Sequence, residues 1–174
     1  TPSWNRSSPE TLTAWELARR MAKVALGKKL PSFAVPTTAG AFRSKDALGS
    51  KLVIYFYPRD NTPGCTREGE AFRDLHARFR RAGTVILGVS TDSLASHEKF
   101  KAKMKFPFEL GSDEDHELAA LFGAWVEKNM YGRKTMGVER STFLVDATGV
   151  LRQEWRKVKV DGHAEAVLAA AQAL

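Results

Sequence analysis

The apolar positions of this chain change period several times, and each change marks an element. Residues 51–57 (Lys51-Leu52-Val53-Ile54-Tyr55-Phe56-Tyr57) form a continuous run rich in β-branched and aromatic side chains. That pattern predicts a strand buried on both faces. Phe72, Leu75 and Phe79 then recur at helical spacing among Arg73, Asp74, Arg78 and Arg80, so an amphipathic helix follows. Residues 83–90 read as a second buried strand. Ser93 caps a helix reaching about residue 105, and 106–110 is a short extended piece. A further helix starts at Ser112 or Asp113 and carries Leu118, Leu121 and Phe122. The stretch 125–138 is polar and holds two glycines, which predicts mostly loop. Residues 141–146 and 150–155, joined by Ala147-Thr148-Gly149, make a hairpin, and a last helix runs from about residue 162 to the end.

Upstream, residues 30–35 and 41–43 flank Pro36-Thr37-Thr38-Ala39-Gly40 and predict an N-terminal β-hairpin. Before it, Leu12, Trp15, Ala18, Ala22 and Leu26 follow helical spacing from the start signal Ser8-Pro9-Glu10 to Gly27. The expected organisation is a helical arm, residues 1–28, and one main domain, residues 29–174. The arm packs on the domain's own surface or docks on a second subunit or a partner. Alternating strands and helices, then a hairpin and a closing helix, predict an α/β fold with a mixed central β-sheet flanked by helices.

Composition narrows the function. A hydrophobic share of 43% in 174 residues suits a globular domain with a sizeable core. No apolar run approaches the ~20 residues that span a bilayer, so no membrane role is expected. The net charge of +7 is scattered among acids, and its densest run, Lys99 to Lys105, alternates along an exposed helix face. No nucleic-acid motif accompanies it. A single cysteine allows no internal disulfide and fits a reducing compartment; with no export signal visible, a cytoplasmic location is expected.

That cysteine, Cys65, carries the candidate chemistry. Thr62 is placed to cap the helix after the central strand, and Pro63 suits its first position. Cys65 therefore falls in the first helical turn, where unpaired N–H groups and the macrodipole favour an anion. Arg67 nearby is expected to act in the same direction. Thiolate, not thiol, is the reactive form. The four histidines give no competing arrangement: His76 lies three turns beyond Cys65, and His97, His116 and His163 read as ordinary surface residues. No cluster has the spacing of a metal site, and no haem or flavin motif is visible, so neither metal nor cofactor is expected.

The run Tyr55-Phe56-Tyr57-Pro58-Arg59-Asp60-Asn61-Thr62-Pro63-Gly64-Cys65-Thr66 resembles the active-site signature of peroxiredoxins, in the bacterioferritin-comigratory-protein (PrxQ) branch. The similarity continues through Ile86 to Ser90, Glu127 to Gly132 and Glu139 to Phe143. It covers roughly residues 29–174. The resemblance implies a thioredoxin-like fold and reduction of hydrogen peroxide or organic hydroperoxides, with Cys65 as the attacking thiolate and a sulfenic acid as intermediate. By the same resemblance, Thr62 and first-turn N–H groups hold the peroxide, Pro58 shields the sulfur, and Arg140 stabilises thiolate and leaving oxygen. Glu68, one turn after Cys65, orients the arginine or faces solvent. Many relatives carry a second, resolving cysteine; here those positions are Glu70 and Lys101. A one-cysteine peroxidase needs an outside thiol: thioredoxin, glutaredoxin, glutathione, or a second copy of the chain. Monomer and homodimer both fit. The alternative is a redox-sensing or binding protein that signals through Cys65 oxidation and the arm.

Overall fold

The run of apolar residues at 51–57 becomes an interior strand of a seven-stranded sheet. The computed structural model describes residues 23–174. Its strands are β1 (Ala34–Thr37), β2 (Gly40–Arg43), β3 (Lys51–Phe56), β4 (Thr84–Ser90), β5 (Glu109–Ser112), β6 (Trp125–Met130), β7 (Arg133–Val138), β8 (Ser141–Val145) and β9 (Leu151–Trp155). Its helices are α1 (Pro63–Arg81), α2 (Leu94–Met104), α3 (Glu117–Leu121) and α4 (His163–Gln172), with a 3-10 turn at Ser44–Ala47. The sheet order is β2-β1-β5-β4-β3-β8-β9, and β6 and β7 form a separate pair. β4 runs parallel to both β3 and β5, whereas β8 is antiparallel to β3, so the sheet is mixed as predicted.

Because side chains alternate across a strand, β3 feeds two cores. Val53 and Tyr55 join Phe72 and Phe79 of α1 and Val167 and Leu168 of α4 on one face. Leu52, Ile54 and Phe56 join Leu118, Phe122 and Phe143 on the other. Phe72 is fully buried and stacks on Tyr55 with ring centroids 4.6 Å apart. Burying one such side chain contributes about 2–3 kcal/mol. Helix α2 begins at the predicted Ser93, whose hydroxyl accepts the Ser96 N–H at 3.2 Å. Along it Lys99, Lys103 and the following Lys105 are exposed, while Lys101 pairs with Glu109 at 2.7 Å.

Four expectations are corrected. The stretch 125–138 is a hairpin, not a loop: β6 and β7 pair from Trp125↔Val138 to Met130↔Arg133. Its two-residue turn puts Tyr131 at φ 53° and Gly132 at φ 78°. Two positive φ values define the type I′ turn that suits strand twist, but a tyrosine there hides the usual Asn-Gly signal. The first hairpin turns at Thr38-Ala39, since β1 continues through Pro36 and Thr37. Proline is tolerated because β1 meets β5 at Thr37↔Gly111, beyond Pro36. The extended piece near 106–110 becomes a strand only at Glu109 and runs to Ser112, so the helix expected from Ser112 or Asp113 starts at Glu117 instead.

The predicted arm lies outside the described residues up to position 22. Residues 23–26 are not helical. Instead the Lys23 N–H donates to the Leu121 carbonyl at 3.0 Å and the Gly27 N–H to that of Leu151 at 2.8 Å. The entering chain is thus fastened to the domain.

Candidate active site

The first turn of α1 is set by the backbone before it. Thr62 is extended (φ −88°, ψ 155°) and Pro63 opens the helix. The Thr62 hydroxyl does not cap the helix, as the spacing suggested; it donates to the Arg59 carbonyl at 2.9 Å. With its hydrogen committed there, the oxygen keeps its lone pairs for an incoming donor. The helix's own ladder starts with Thr66 N–H to the Thr62 carbonyl at 2.9 Å. The N–H groups of Gly64 and Cys65 come before that bond, so no turn of helix satisfies them.

Arg140 reaches this turn through the sheet. β8 lies antiparallel to β3 with Phe56 opposite Ser141, which sets residue 140 beside the loop that leaves β3. Its guanidinium forks: Nη2 donates to Cys65 Sγ at 3.4 Å and Nη1 to Glu68 Oε1 at 2.8 Å. Cys65 is 2% exposed, so this contact is shielded from bulk water. Gly64 leaves room for it, because a Cβ there would sit 3.1 Å from Arg140 Nη2. The structure therefore brings Cys65, Arg140 and Glu68 together. Pro58 is half-buried in the same loop as Thr62.

The electrostatics follow from burial. Glu68 is 1% exposed, and its carboxyl is pushed up to about 7 because desolvation outweighs the attraction of Arg140. Its second oxygen, Oε2, has no hydrogen-bond partner. Burial pulls Arg140 down, but Glu68 and then Cys65 more than compensate and raise it, so it stays charged. Tyr55, wholly buried, is raised by desolvation and then by the charge of Glu68 and Cys65. Lys128 adds a further half-buried cation. Desolvation lowers its pKa, with Glu139 raising it and Arg140 lowering it. It lies over Gly137, where a Cβ would stand 3.2 Å from its Cδ. His163, buried beside Trp155 and Phe72 and bonded to Thr142 at 2.7 Å, is lowered to about 4 by desolvation and then by Arg140.

Other expectations need correcting. Arg67 does not face the sulfur; it pairs with Asp161 at 3.1 Å in solvent. His97 and His163 are 0% and 6% exposed, not surface residues, because each finds a polar partner inside. Nor were metal-type ligands absent: Asp60, Asp92 and His97 bring one ligand atom each within 4.8 Å of one another. Those side chains are engaged by protein groups, Asp60 with Tyr57 and Ser96, Asp92 with Ser90, and His97 with Asp60.

The sequence left Glu68 open between two roles, assigned none to Lys128 or Asp60, and placed His97 on the surface. The three-residue step from Cys65 to Glu68 puts both on one helix face, a signal that was available. Lys128 required recognising the β6–β7 hairpin first, and it shares the inward face with the buried Val126.

Known proteins resemble this chain over most of its length. Residues 26–154 match the model of the AhpC/TSA family. The chain is 57% identical over 125 residues to peroxiredoxin Bcp of Xanthomonas campestris, covering 72% of this chain and 78% of that protein. It is 47% identical over 146 residues to a putative peroxiredoxin bcp of Coxiella burnetii, covering 83% and 97%. Among solved structures, the Xanthomonas campestris bacterioferritin comigratory protein superposes with a TM-score of 0.78 at 50% identity, covering 81% of this chain and 90% of the other. A Xylella fastidiosa PrxQ mutant gives 0.82 at 39% identity, covering 87% and 98%. The fold is thioredoxin-like, as the resemblance implied. With its sheet, its first-turn cysteine and these relatives in agreement, the chain belongs to the AhpC/TSA family, in the Bcp/PrxQ branch of the peroxiredoxins.

Proposed function

We propose that this protein is a thiol-dependent peroxidase that reduces hydrogen peroxide and organic hydroperoxides through Cys65. One observation carries the reading: the Arg140 fork joins Cys65 Sγ to the buried Glu68. Cys65 thiolate attacks the terminal oxygen of ROOH, an S–O bond forms, the O–O bond breaks, and ROH leaves after taking up a proton. Charge moves from sulfur to the leaving oxygen, and a guanidinium already beside the sulfur stabilises both ends. The Thr62 oxygen accepts the hydroperoxide O–H, while the Gly64 and Cys65 N–H groups donate to its oxygens. Pro58 shields the sulfur from water.

The resulting sulfenic acid condenses with an outside thiol, releasing water, and a second thiol regenerates Cys65 with formation of the donor's disulfide. With one cysteine in the sequence, no thiol of the same chain can take that place. Thioredoxin, glutaredoxin and glutathione are the donor classes. The solved Xanthomonas relative is described by its alkyl peroxide reduction, which supports organic hydroperoxides as substrates here. No observation favours the sensor reading, whose arm lies largely outside the described residues. Steady-state consumption of hydroperoxide with each donor thiol tests the proposal: the native chain turns over and Cys65→Ser does not. Turnover that survives in Cys65→Ser would remove it.

A further inference from the structure

Behind the peroxide loop lies a buried polar network that the proposed reaction does not use directly. His97, on α2, is completely buried. Its Nε2 faces the Gly111 carbonyl of β5 at 2.8 Å, and its Nδ1 faces Asp60 Oδ2 at 2.7 Å. A carbonyl only accepts, so Nε2 carries a hydrogen, and a second proton sits between Nδ1 and the carboxylate. Asp60 also accepts from Tyr57 Oη at 2.6 Å and Ser96 Oγ at 2.8 Å, and its own N–H donates to Asp92 Oδ2 at 2.9 Å. Every one of these partners lies on β3's end, β4's end, β5 or α2, whereas Asp60 belongs to the loop between Pro58 and Thr62. Next to it, Asn61 holds a left-handed φ of 63° and takes a bond from Lys103 of α2 at 2.8 Å. A three-donor carboxylate is a costly arrangement for a loop that merely connects two elements.

We propose that His97, acting through Asp60, is a positioning residue: it locks the Pro58–Thr62 loop to α2 and β5 and so places the Thr62 oxygen for the hydroperoxide. The inference rests on the peroxidase reading. It separates two properties of the site. Thiolate reactivity depends on the first turn of α1 and on Arg140, neither of which touches His97. Peroxide placement depends on the loop, which does. Replacing His97 by glutamine leaves a single donating nitrogen, which cannot reach Asp60 and Gly111 together as the two ring nitrogens do.

The test compares two second-order rates on the full chain: oxidation of Cys65 by hydrogen peroxide and alkylation of Cys65 by iodoacetamide, which needs the thiolate but no peroxide site. His97→Gln is expected to slow oxidation at least tenfold while alkylation changes less than twofold. Ser96→Ala, which removes one donor to Asp60 and leaves His97 in place, covers the case in which His97→Gln fails to fold; it should slow oxidation two- to fivefold with the same indifference of alkylation. Equal losses of both rates, or no loss of oxidation in the soluble variants, would overturn the inference. Native protein that reacts with iodoacetamide but not with peroxide would instead sink the peroxidase reading itself, a distinguishable outcome.

Discussion

Arg140 serves two partners with one planar group, and that geometry dictates which substitutions matter. A lysine carries the charge but not the fork, so it cannot hold Cys65 and Glu68 together. Arg140→Lys should slow peroxide oxidation of Cys65 by ~10²-fold, the scale of losing one preorganised donor; stopped-flow tryptophan fluorescence would read it. A rate within threefold of the native one would contradict the assignment. Glu68 and His163, both buried close to Arg140, make opposite contributions to stability against pH. Glu68 is raised to about 7, so the stability it contributes is complete below about 4.5 and is lost as pH rises through 7. His163 is lowered to about 4, so its contribution is complete above about 6.5 and is lost as pH falls through 4. Each effect is at most about 3 kcal/mol, and between pH 4.5 and 6.5 they oppose one another. Urea unfolding should show Glu68→Gln gaining on the native protein as pH rises from 4.5 to 7, and His163→Gln gaining on it as pH falls from 6.5 to 4. Parallel pH curves for all three proteins would refute both assignments.

At the scale of the element, α1 holds two glycines with different work. Gly64 faces Arg140, and Gly69 faces Phe106, where a Cβ would sit 2.4 Å from the ring Cζ. Gly64→Ala should lower the oxidation rate about tenfold by moving the guanidinium, with little loss of Tm. Gly69→Ala should instead lower stability by about 1–3 kcal/mol, since the core has no slack for a methyl group. The reverse pattern would mean that the two faces of α1 have been misassigned. Much of this helix was legible beforehand. The apolar spacing of Phe72 and Phe79, the first-turn proline and the buried run before it all reflect local rules. The β6–β7 hairpin was not legible, because Arg133 to Met136 of β7 are exposed in succession and show no period of two, and Tyr131 stands where a turn usually has Asn or Gly. Tyr131→Asn, relieving that backbone and removing a fully exposed ring, should raise Tm slightly. The contacts of Arg140 with Cys65 and Glu68, 75 and 72 residues apart in sequence, depend on sheet register. The resemblance pointed to Arg140; no periodicity could have. His97 shows the limit most plainly: a histidine on a lysine-rich helix reads as solvated until the loop that covers it is seen.

At the scale of the whole molecule, the chain offers one thiol and a net positive charge. No helix among the described residues is long and apolar enough to cross a membrane. The net charge of +7 favours anionic encounter partners and makes their association sensitive to salt. Lys101, one of the two positions where the resemblance implies a resolving thiol, is tied to Glu109, so α2 is fastened to β5 at that point. On the proposed mechanism, Cys65 waits as a sulfenic acid until an outside thiol arrives, and excess peroxide should drive it on to sulfinic acid. Intact-protein mass spectrometry after one equivalent of hydrogen peroxide, with dimedone as a trap, reads that state. The account predicts a single dimedone adduct on Cys65, abolished when glutathione or reduced thioredoxin is added before the trap. An unmodified Cys65, while peroxide is nonetheless consumed, would contradict it.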